Sequence, residues 1–470
     1  MTARPAVVRR APGKLFVAGE YAVVDPGNPA VLVAVDRYVT VTVSHLPGTA
    51  VEITSDLGPH ARLHWHNSRL TPPGAPGPHD PSGSTGGSGP HDPSGPHDPS
   101  GPHGGPGPYG DTSRPGLHGR PGDGTGGPGP HADTGRPGEP ARPGEPARPG
   151  GRARPGEPGG SGEPGAPARP ARPGRPARSG APAGLAHVVS AVETVARLLA
   201  ERGLPVPGFG LRVESGLHDN GTKYGLGSSG AVTVAAVAAV AAFCGLRLPP
   251  EDRFRLAVLA TAEIDPRASC GDLAASTWGG WIAYQAPDRT AVRDLARHHG
   301  VQAALRTPWP QFAVRRLPAP AGLKLEVGWS GTPASTAALV SDLDRRAWRG
   351  SASHRAFTAA TTDCVRACVT ALDHKDPRGL LEQIRRARRE LARLDDEVGL
   401  GIFTPKLTAL CDAAEAAGGA AKPSGAGGGD CGIALLDAEA PRDIEHVRER
   451  WAAAGVLPLP VRPAAEGNEE

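Results

Sequence analysis

Four stretches of the 470-residue chain carry residue types that bind anions or handle protons. The first is Tyr224–Gly230, in which Gly225, Gly227 and Gly230 alternate with Leu226 and with the hydroxyls of Ser228 and Ser229. It runs directly into the apolar stretch 231–244, which Gly245 closes and Pro249 and Pro250 follow, the punctuation of a helix. A helix that opens on glycines and serines presents unpaired N–H groups, hydroxyls and the positive end of its dipole, which together make a phosphate site. The second stretch, Ala11–Glu20, delivers Lys14 from a Pro-Gly turn and places Glu20 six residues on. The third is Ser269-Cys270-Gly271-Asp272, an acid on a tight turn, with Ser276 shortly after. The fourth, Lys422–Cys431, has four glycines in the five positions 425–429, flanked by Lys422, Ser424 and Asp430, a further anion cradle.

Three readings compete for Tyr224–Gly230. It could be a structural turn before a core helix. It could be a dinucleotide fingerprint, since Gly225, Gly227 and Gly230 satisfy G-x-G-x-x-G. That motif must follow a strand directly, yet the polar connection 216–224 separates the loop from the strand-like run 210–215, and no acid ends a strand about twenty residues on. The third reading is the phosphate loop of a kinase. The Walker form is excluded, because no Lys-Ser/Thr pair ends the loop. Lys14 with Glu20, or Asp272, has a plain structural alternative when taken alone: an exposed ion pair or a turn former.

These stretches need elements to hold them. Residues 7–10 and 14–18 read as strands on either side of the Ala11–Lys14 turn, and residues 30–34 and 38–43 as two more, the last alternating valine with threonine. Residues 187–202 read as an amphipathic helix, 251–264 as another, and 281–284 as a strand. Residues 323–328 form a strand leading into Ser330, Thr332, Ser335 and Thr336, where a helix start with a hydroxyl cap offers a second anion site. Arginine-rich helices follow to residue 394 and from 404 to 417, and residues 432–436 make a last strand.

Composition changes sharply between residues 71 and 182. The repeats G-P-H-D-P-S-G and R-P-G-E-P occur there with almost no aliphatic side chains, so the segment cannot bury enough apolar surface to offset its ordering entropy. It is expected to be a disordered insertion, and its histidines 79, 91, 97 and 103 to be solvated. The formal charge of +3 demands no nucleic-acid partner. No uninterrupted apolar run is long enough to span a bilayer, and no signal peptide is evident. The six cysteines form no C-x-x-C pair, which fits reduced thiols in a cytoplasmic protein.

The ordered trio A-P-G-K-x-x-x-x-G-E at 11–20, G-L-G-S-S-G at 225–230 and K-P-S-G-A-G-G-G-D-C at 422–431 resembles the three motifs of the GHMP small-molecule kinases. Finer matches resemble the branch acting on 5-phosphomevalonate: Lys223-Tyr224 before the loop, Ser269–Asp272, Ser276–Gly280, Gly328–Thr336, and Asp430 where relatives usually carry glycine. The resemblance implies an α+β, two-domain fold. It comprises a nucleotide-binding domain (residues 1–70 plus 183–320) containing a left-handed β-α-β unit, the insertion at 71–182, and a ferredoxin-like domain (321–470). It implies ATP and 5-phosphomevalonate as substrates, Mg2+ as cofactor, and a monomer or homodimer. Lys14 would stabilise the transferring group and Asp272 would orient the acceptor or serve as its base. Gly225, Leu226, Gly227, Ser228, Ser229, Gly230 and Glu20 would hold the nucleotide, with Ser229 and, as a candidate, Glu263 on the metal. Lys223, Ser269, Ser276, Ser330, Thr332, Ser335, Thr336, Lys422, Ser424, Gly425, Gly427 and Gly428 would serve the acceptor and phosphates. Gly230 stands where alanine is commoner, a change expected to be of no consequence. Mevalonate kinases, diphosphomevalonate decarboxylases and noncatalytic binding proteins share the scaffold. The last would be expected to have lost Lys14, Ser229 or Asp272, and all three are present.

Overall fold

The long antiparallel pair at the N-terminus organises the first half of the molecule. In the computed structural model, which describes residues 5–464 apart from 57, 67, 74–183, 220, 335–338, 340–342, 344–345 and 347, β1 (Val7–Ala18) pairs with β2 (Pro29–His45). The turn expected at residues 11–14 is not a turn. β1 stays extended through Pro12 and Gly13, because β2 absorbs the irregularity: Pro12 faces Tyr38 and Gly13 faces Val35, leaving Asp36 and Arg37 over. The two strands expected at 30–34 and 38–43 are therefore one bent strand. Its alternation is as read: Val39, Val41 and Val43 are buried while Thr40, Thr42 and Ser44 turn outward.

Eight strands form the first sheet. β2 also pairs with β6 (Phe209–Ser215) and β9 (Trp281–Gln285), and β9 carries β10 (Ala313–Leu317). β6 runs parallel to β3 (Val51–Ser55), and β4 (Gly58–His66) and β5 (Arg69–Thr71) complete the order. The connection 216–224 holds a small hairpin, β7 (His218–Asp219) with β8 (Thr222–Lys223). Helices α1 (Ala186–Glu201), α2 (Ser228–Phe243), α3 (Pro250–Ile264) and α4 (Gly271–Trp278) pack on one another, and α2 and α4 also lie on β1 and β2. α2 buries residues around its whole circumference, which is why weak helix formers such as valine suffice there. Two short helices, α5 (Arg289–His299) and α6 (Val301–Arg306), precede β10.

The second sheet has four antiparallel strands in the order β12 (Ala420–Pro423), β13 (Cys431–Asp437), β11 (Leu323–Trp329), β14 (Leu457–Leu459). Helices α7 (Ala352–Asp373), α8 (Pro377–Val398) and α9 (Pro405–Ala416) lie between β11 and β12 in the chain, and α10 (Pro441–Ala453) between β13 and β14. A split β-α-β in the order 4-1-3-2 is the ferredoxin-like arrangement. α8 shows how its sequence produces it. Asp376 caps its N-terminus by accepting from the Gly379 N–H, and Leu380, Ile384, Ala387, Leu391 and Leu394 face inward at helical spacing. Gly399 in left-handed conformation ends it. One buried cluster runs through both sheets, from Leu15 and Val33 to Val327 and Ile433. The insertion expected at 71–182 falls almost wholly on residues 74–183, outside the described residues. No described helix is long and apolar enough to cross a membrane. All six cysteines are free thiols.

Candidate active site

Lys14 is the meeting point. Its backbone N–H donates to the Leu226 carbonyl at 2.8 Å and its ammonium to the Gly225 carbonyl at 3.3 Å, so the first motif is stitched to the second. The lysine is almost wholly buried, with the Phe16 ring 5.4 Å beneath the ammonium. Gly227 caps α2 in left-handed conformation (φ 77°). A Cβ there would lie 3.0 Å from the Lys14 side chain, so both the backbone angle and the close approach require glycine. α2 has no side-chain cap, and the hydroxyls of Ser228 and Ser229 bond no described residue. Its N-terminal N–H groups and two hydroxyls are thus offered to a ligand.

Asp272 reaches the same place from α4. Cys270, itself left-handed (φ 60°), makes the sharp turn that puts Asp272 in the first turn of that helix, where the dipole favours a carboxylate. A Cβ on Gly230 would fall 2.5 Å from Asp272 Oδ2 and 2.6 Å from its Cγ. The expectation that glycine in place of alanine at position 230 is of no consequence is therefore corrected: alanine would push the acid aside. The third motif enters through Gly425, where a Cβ would lie 4.0 Å from the Lys14 ammonium, and through Asp430, whose carboxyl lies against Gly225.

Other expected ligand groups have structural occupations instead. Lys422 is fully buried, and its ammonium is paired with Glu20 and donates to the Pro423 carbonyl at 2.7 Å. Glu20 is itself buried and also accepts from the Gly425 N–H at 3.4 Å. The pair joins the first motif to the third. Ser424 does the same, accepting from the Phe16 N–H at 2.8 Å and donating to the Phe16 carbonyl at 3.0 Å. Ser276 donates to the Pro12 carbonyl at 2.7 Å and so holds α4 to β1. Ser330 is buried and exchanges hydrogen bonds with the Thr332 backbone at 3.2 Å, while Lys406 donates to its carbonyl. Ser269 accepts from the Gly271 N–H at 3.4 Å and its carbonyl accepts from Tyr284, which fixes the turn before Asp272. Gly427 and Gly428 pack against Ile402 and Gly401, so their missing side chains serve that contact.

Glu263 is corrected as a metal candidate. Arg297 donates to both its oxygens, at 3.2 and 2.6 Å, and Arg197 stands 3.9 Å away. Burial acts to raise its pKa, but the Arg297 hydrogen bonds and the neighbouring arginines hold it below the ordinary glutamate value. Its carboxylate is committed to an ion pair. Thr332 is exposed, and its carbonyl accepts from the Asp430 N–H at 2.7 Å, while Ser335 and Thr336 lie outside the described residues. Lys223, on β8, acts electrostatically on both Asp430 and His187.

Three contributors carry no sequence signal. His187, at the start of α1, is near Asp272 and Lys223; burial lowers its pKa, the Asp272 carboxylate opposes that and Lys223 adds to it, and the net shift is downward, so it is neutral at pH 7. The Tyr21 hydroxyl donates to the Ala426 carbonyl, a further tie between first and third motifs. Arg37 stacks 5.0 Å over the Tyr224 ring, which in turn meets Trp329 edge-on at 5.1 Å.

Two glycine-lined loops, 225–230 and 425–429, thus close on Lys14 of the strand β1, and comparison with known proteins gives the family. Residues 186–280 match the family model described as the GHMP kinases N terminal domain, and residues 369–455 that of the GHMP kinases C terminal. A phosphomevalonate kinase of Streptomyces sp. (strain CL190) is 56% identical over 471 residues, covering 99% of each chain. The chain belongs to the GHMP kinase family. Two solved structures share the fold of this kinase. A Lin0012 protein from Listeria innocua superposes with a TM-score of 0.70 at 25% identity, covering 99% of this chain and 100% of the other. The Streptococcus pneumoniae phosphomevalonate kinase in complex with phosphomevalonate and AMPPNP does so with a TM-score of 0.65 at 20% identity, covering 97% and 99%.

Proposed function

We propose that this kinase transfers the γ-phosphoryl group of ATP to 5-phosphomevalonate, giving 5-diphosphomevalonate and ADP, in the cytoplasm. The observation that carries the reading is the 56% identity, across 99% of both chains, to a protein that is a phosphomevalonate kinase. The site supports it chemically. Phosphoryl transfer asks for positioning and for charge to offset a spreading negative transition state, more than for covalent help. The open N-terminus of α2, with Ser228 and Ser229, binds the nucleotide phosphates. Lys14, anchored at Gly225, neutralises the group in flight, and Lys223 stands ready on the acceptor side.

The acceptor is a phosphomonoester whose second pKa is about 6, so its attacking oxygen is already largely anionic at pH 7. Asp272 then orients the acceptor and need not remove a proton. Magnesium fits the donor set at this place: a free Ser229 hydroxyl and, beside the next residue, the Asp272 carboxylate are hard oxygen ligands of the kind it takes while keeping several waters. When bound, the ion offsets charge on the polyphosphate.

The test is ADP release followed with mevalonate, 5-phosphomevalonate and 5-diphosphomevalonate as acceptors. Turnover with 5-phosphomevalonate at least a hundredfold above the other two is expected. Faster turnover with mevalonate, or release of carbon dioxide and inorganic phosphate from 5-diphosphomevalonate, would replace this reading by that of the corresponding relative.

A further inference from the structure

The turn between α8 and α9 lies under the third glycine loop, and one carboxylate shapes it. Asp395 sits in the last turn of α8, where the helix dipole disfavours an acid. Both of its oxygens are engaged. Oδ1 accepts from the Gly401 N–H at 2.6 Å and Oδ2 from the Phe403 N–H at 2.9 Å. Hydrogen bonds from backbone N–H groups to a carboxylate are charge-assisted and among the stronger ones. These two grip the chain on either side of Ile402. Ile402 is wholly buried, in a cluster with Leu391, Leu394 and Val398 of α8 and with Tyr21 and Ala426.

Ile402 in turn carries the glycine loop. Its carbonyl accepts from the Gly428 N–H at 2.9 Å. A Cβ on Gly427 would fall 2.5 Å from Ile402 Cγ2, 2.6 Å from its carbonyl oxygen and 2.9 Å from its Cα, so the tip of the loop rests directly on this backbone. The two ends of the loop are held elsewhere, where the Ser424 N–H donates to the Cys431 carbonyl at 2.9 Å. Between these supports Gly425 lies beside Lys14, its Cβ position 4.0 Å from the ammonium.

We propose that Asp395 is a positioning residue of the kinase reaction: by locking the backbone at Gly401 and Phe403 it sets the height of Ile402, and through Ile402 the distance between the glycine loop 425–429 and Lys14. Among the described residues, no hydrogen bond or ion pair joins Asp395 to Lys14 or Asp272, so it acts through the loop. A loop at the wrong height misplaces the backbone that borders the lysine, and with it the charge offered to the transferring group. This deepens the function proposed above and rests on it for the reaction that is disturbed.

Asp395→Asn tests it in the full chain. The amide keeps one acceptor oxygen and turns its NH2 toward the other backbone N–H, so one bond is lost with little change of shape. With the acceptor that the native chain prefers, kcat should fall roughly ten- to a hundredfold, the scale of a misplacement on the order of an ångström. KM for ATP, whose phosphates rest on α2, should stay within about threefold. Asp396→Asn is the control. It removes the same charge from the same helical turn, but Asp396 is exposed, and its kcat should match the native one. A lowered melting temperature with native kcat in Asp395→Asn, or an equal loss in Asp396→Asn, overturns the proposal. Hydrogen exchange read by mass spectrometry needs no acceptor. Amides 425–429 should exchange faster in Asp395→Asn while those of β1 keep their native rates, and unchanged exchange at 425–429 overturns the proposal. A native chain idle toward 5-phosphomevalonate would instead overturn the function and leave this exchange result standing. Should the variant not fold, the native chain decides. In low urea, segments 399–403 and 425–429 should open with one common dependence on denaturant, as a single cooperative unit, and independent opening of the two overturns the proposal.

Discussion

Lys14 owes its position to contacts on three sides, and that sets what its loss should do. Its backbone is hydrogen-bonded to Leu226, its ammonium to Gly225, and its stem lies against Phe16 and Gly227. Lys14→Ala removes the one cation common to all three motifs. We expect kcat to fall by about three orders of magnitude, the range typical of a lost transition-state contact, with the fold intact by circular dichroism. Turnover within tenfold of the native enzyme would remove Lys14 from the catalytic role. Asp272 should behave differently. An acceptor that arrives already ionised needs orientation more than a base, so Asp272→Asn should keep more activity than Lys14→Ala, and its rate should not recover as pH rises. A pH–rate profile compares the two directly. Gly230→Ala tests the same acid from the opposite side. The added methyl meets Asp272 Cβ at 2.9 Å and Cγ at 2.6 Å, so the carboxyl must rotate out of the site. Activity should drop by at least tenfold while the melting temperature stays within about 2 °C, since alanine is a better helix former than glycine. A fully active Gly230→Ala would mean that the acid has room the structure does not show.

The elements are fastened to one another by side chains that look, by type, like ligands. Glu20 with Lys422, Ser424 with the Phe16 backbone, and Tyr21 with Ala426 fasten β1 and the turn after it to β12 and the loop that follows. Breaking a buried ion pair by removing one partner leaves an uncompensated charge, at a cost of about 3–5 kcal/mol. Lys422→Ala should therefore show that loss in chemical denaturation, whereas a residue that merely contacts the acceptor would raise KM and leave the denaturation midpoint unmoved. The same residues mark the limit of what the sequence displays. Glycines and paired hydroxyls before an apolar run mark a helix start without a side-chain cap, because few other arrangements need them, and that start, Gly225–Ser229, was legible, whereas Lys14 reaches it from a strand and not from the turn its neighbours suggest. Whether a lysine or serine faces a ligand or a neighbouring strand depends on burial, which residue type does not encode, and Lys422, Ser424 and Ser276 turned inward for that reason. Pro12-Gly13 has the composition of a turn, yet it lies in a continuous strand because its partner takes up the bulge at Asp36 and Arg37. Glu263 stands close to Asp272 in the chain, but Arg297 and Arg197, remote in sequence, claim its carboxylate.

At the scale of the whole molecule, the described core holds both flanks of the low-complexity stretch. Leu70 and Leu185, on either side of it in the chain, are both buried in the same cluster as β1, β2 and α2. The Leu70 N–H donates to the Glu193 carboxylate of α1 at 2.8 Å, which draws the two sides of the gap together. A short linker should therefore replace a stretch of more than a hundred residues. The stretch offers few apolar side chains to bury, and loop-closure entropy grows only slowly with length, so shortening it should stabilise the fold slightly or leave it unchanged. We expect a chain in which residues 75–180 are replaced by a glycine-serine linker of about eight residues to keep its turnover within twofold and its melting temperature within a few degrees. Differential scanning calorimetry and ADP release on the purified deletion check both. Loss of cooperative unfolding would show that the stretch supplies core. Preserved folding with lost activity would place part of it at the active site, and would add to the three motifs a fourth contributor that neither glycine spacing nor the described contacts reveal.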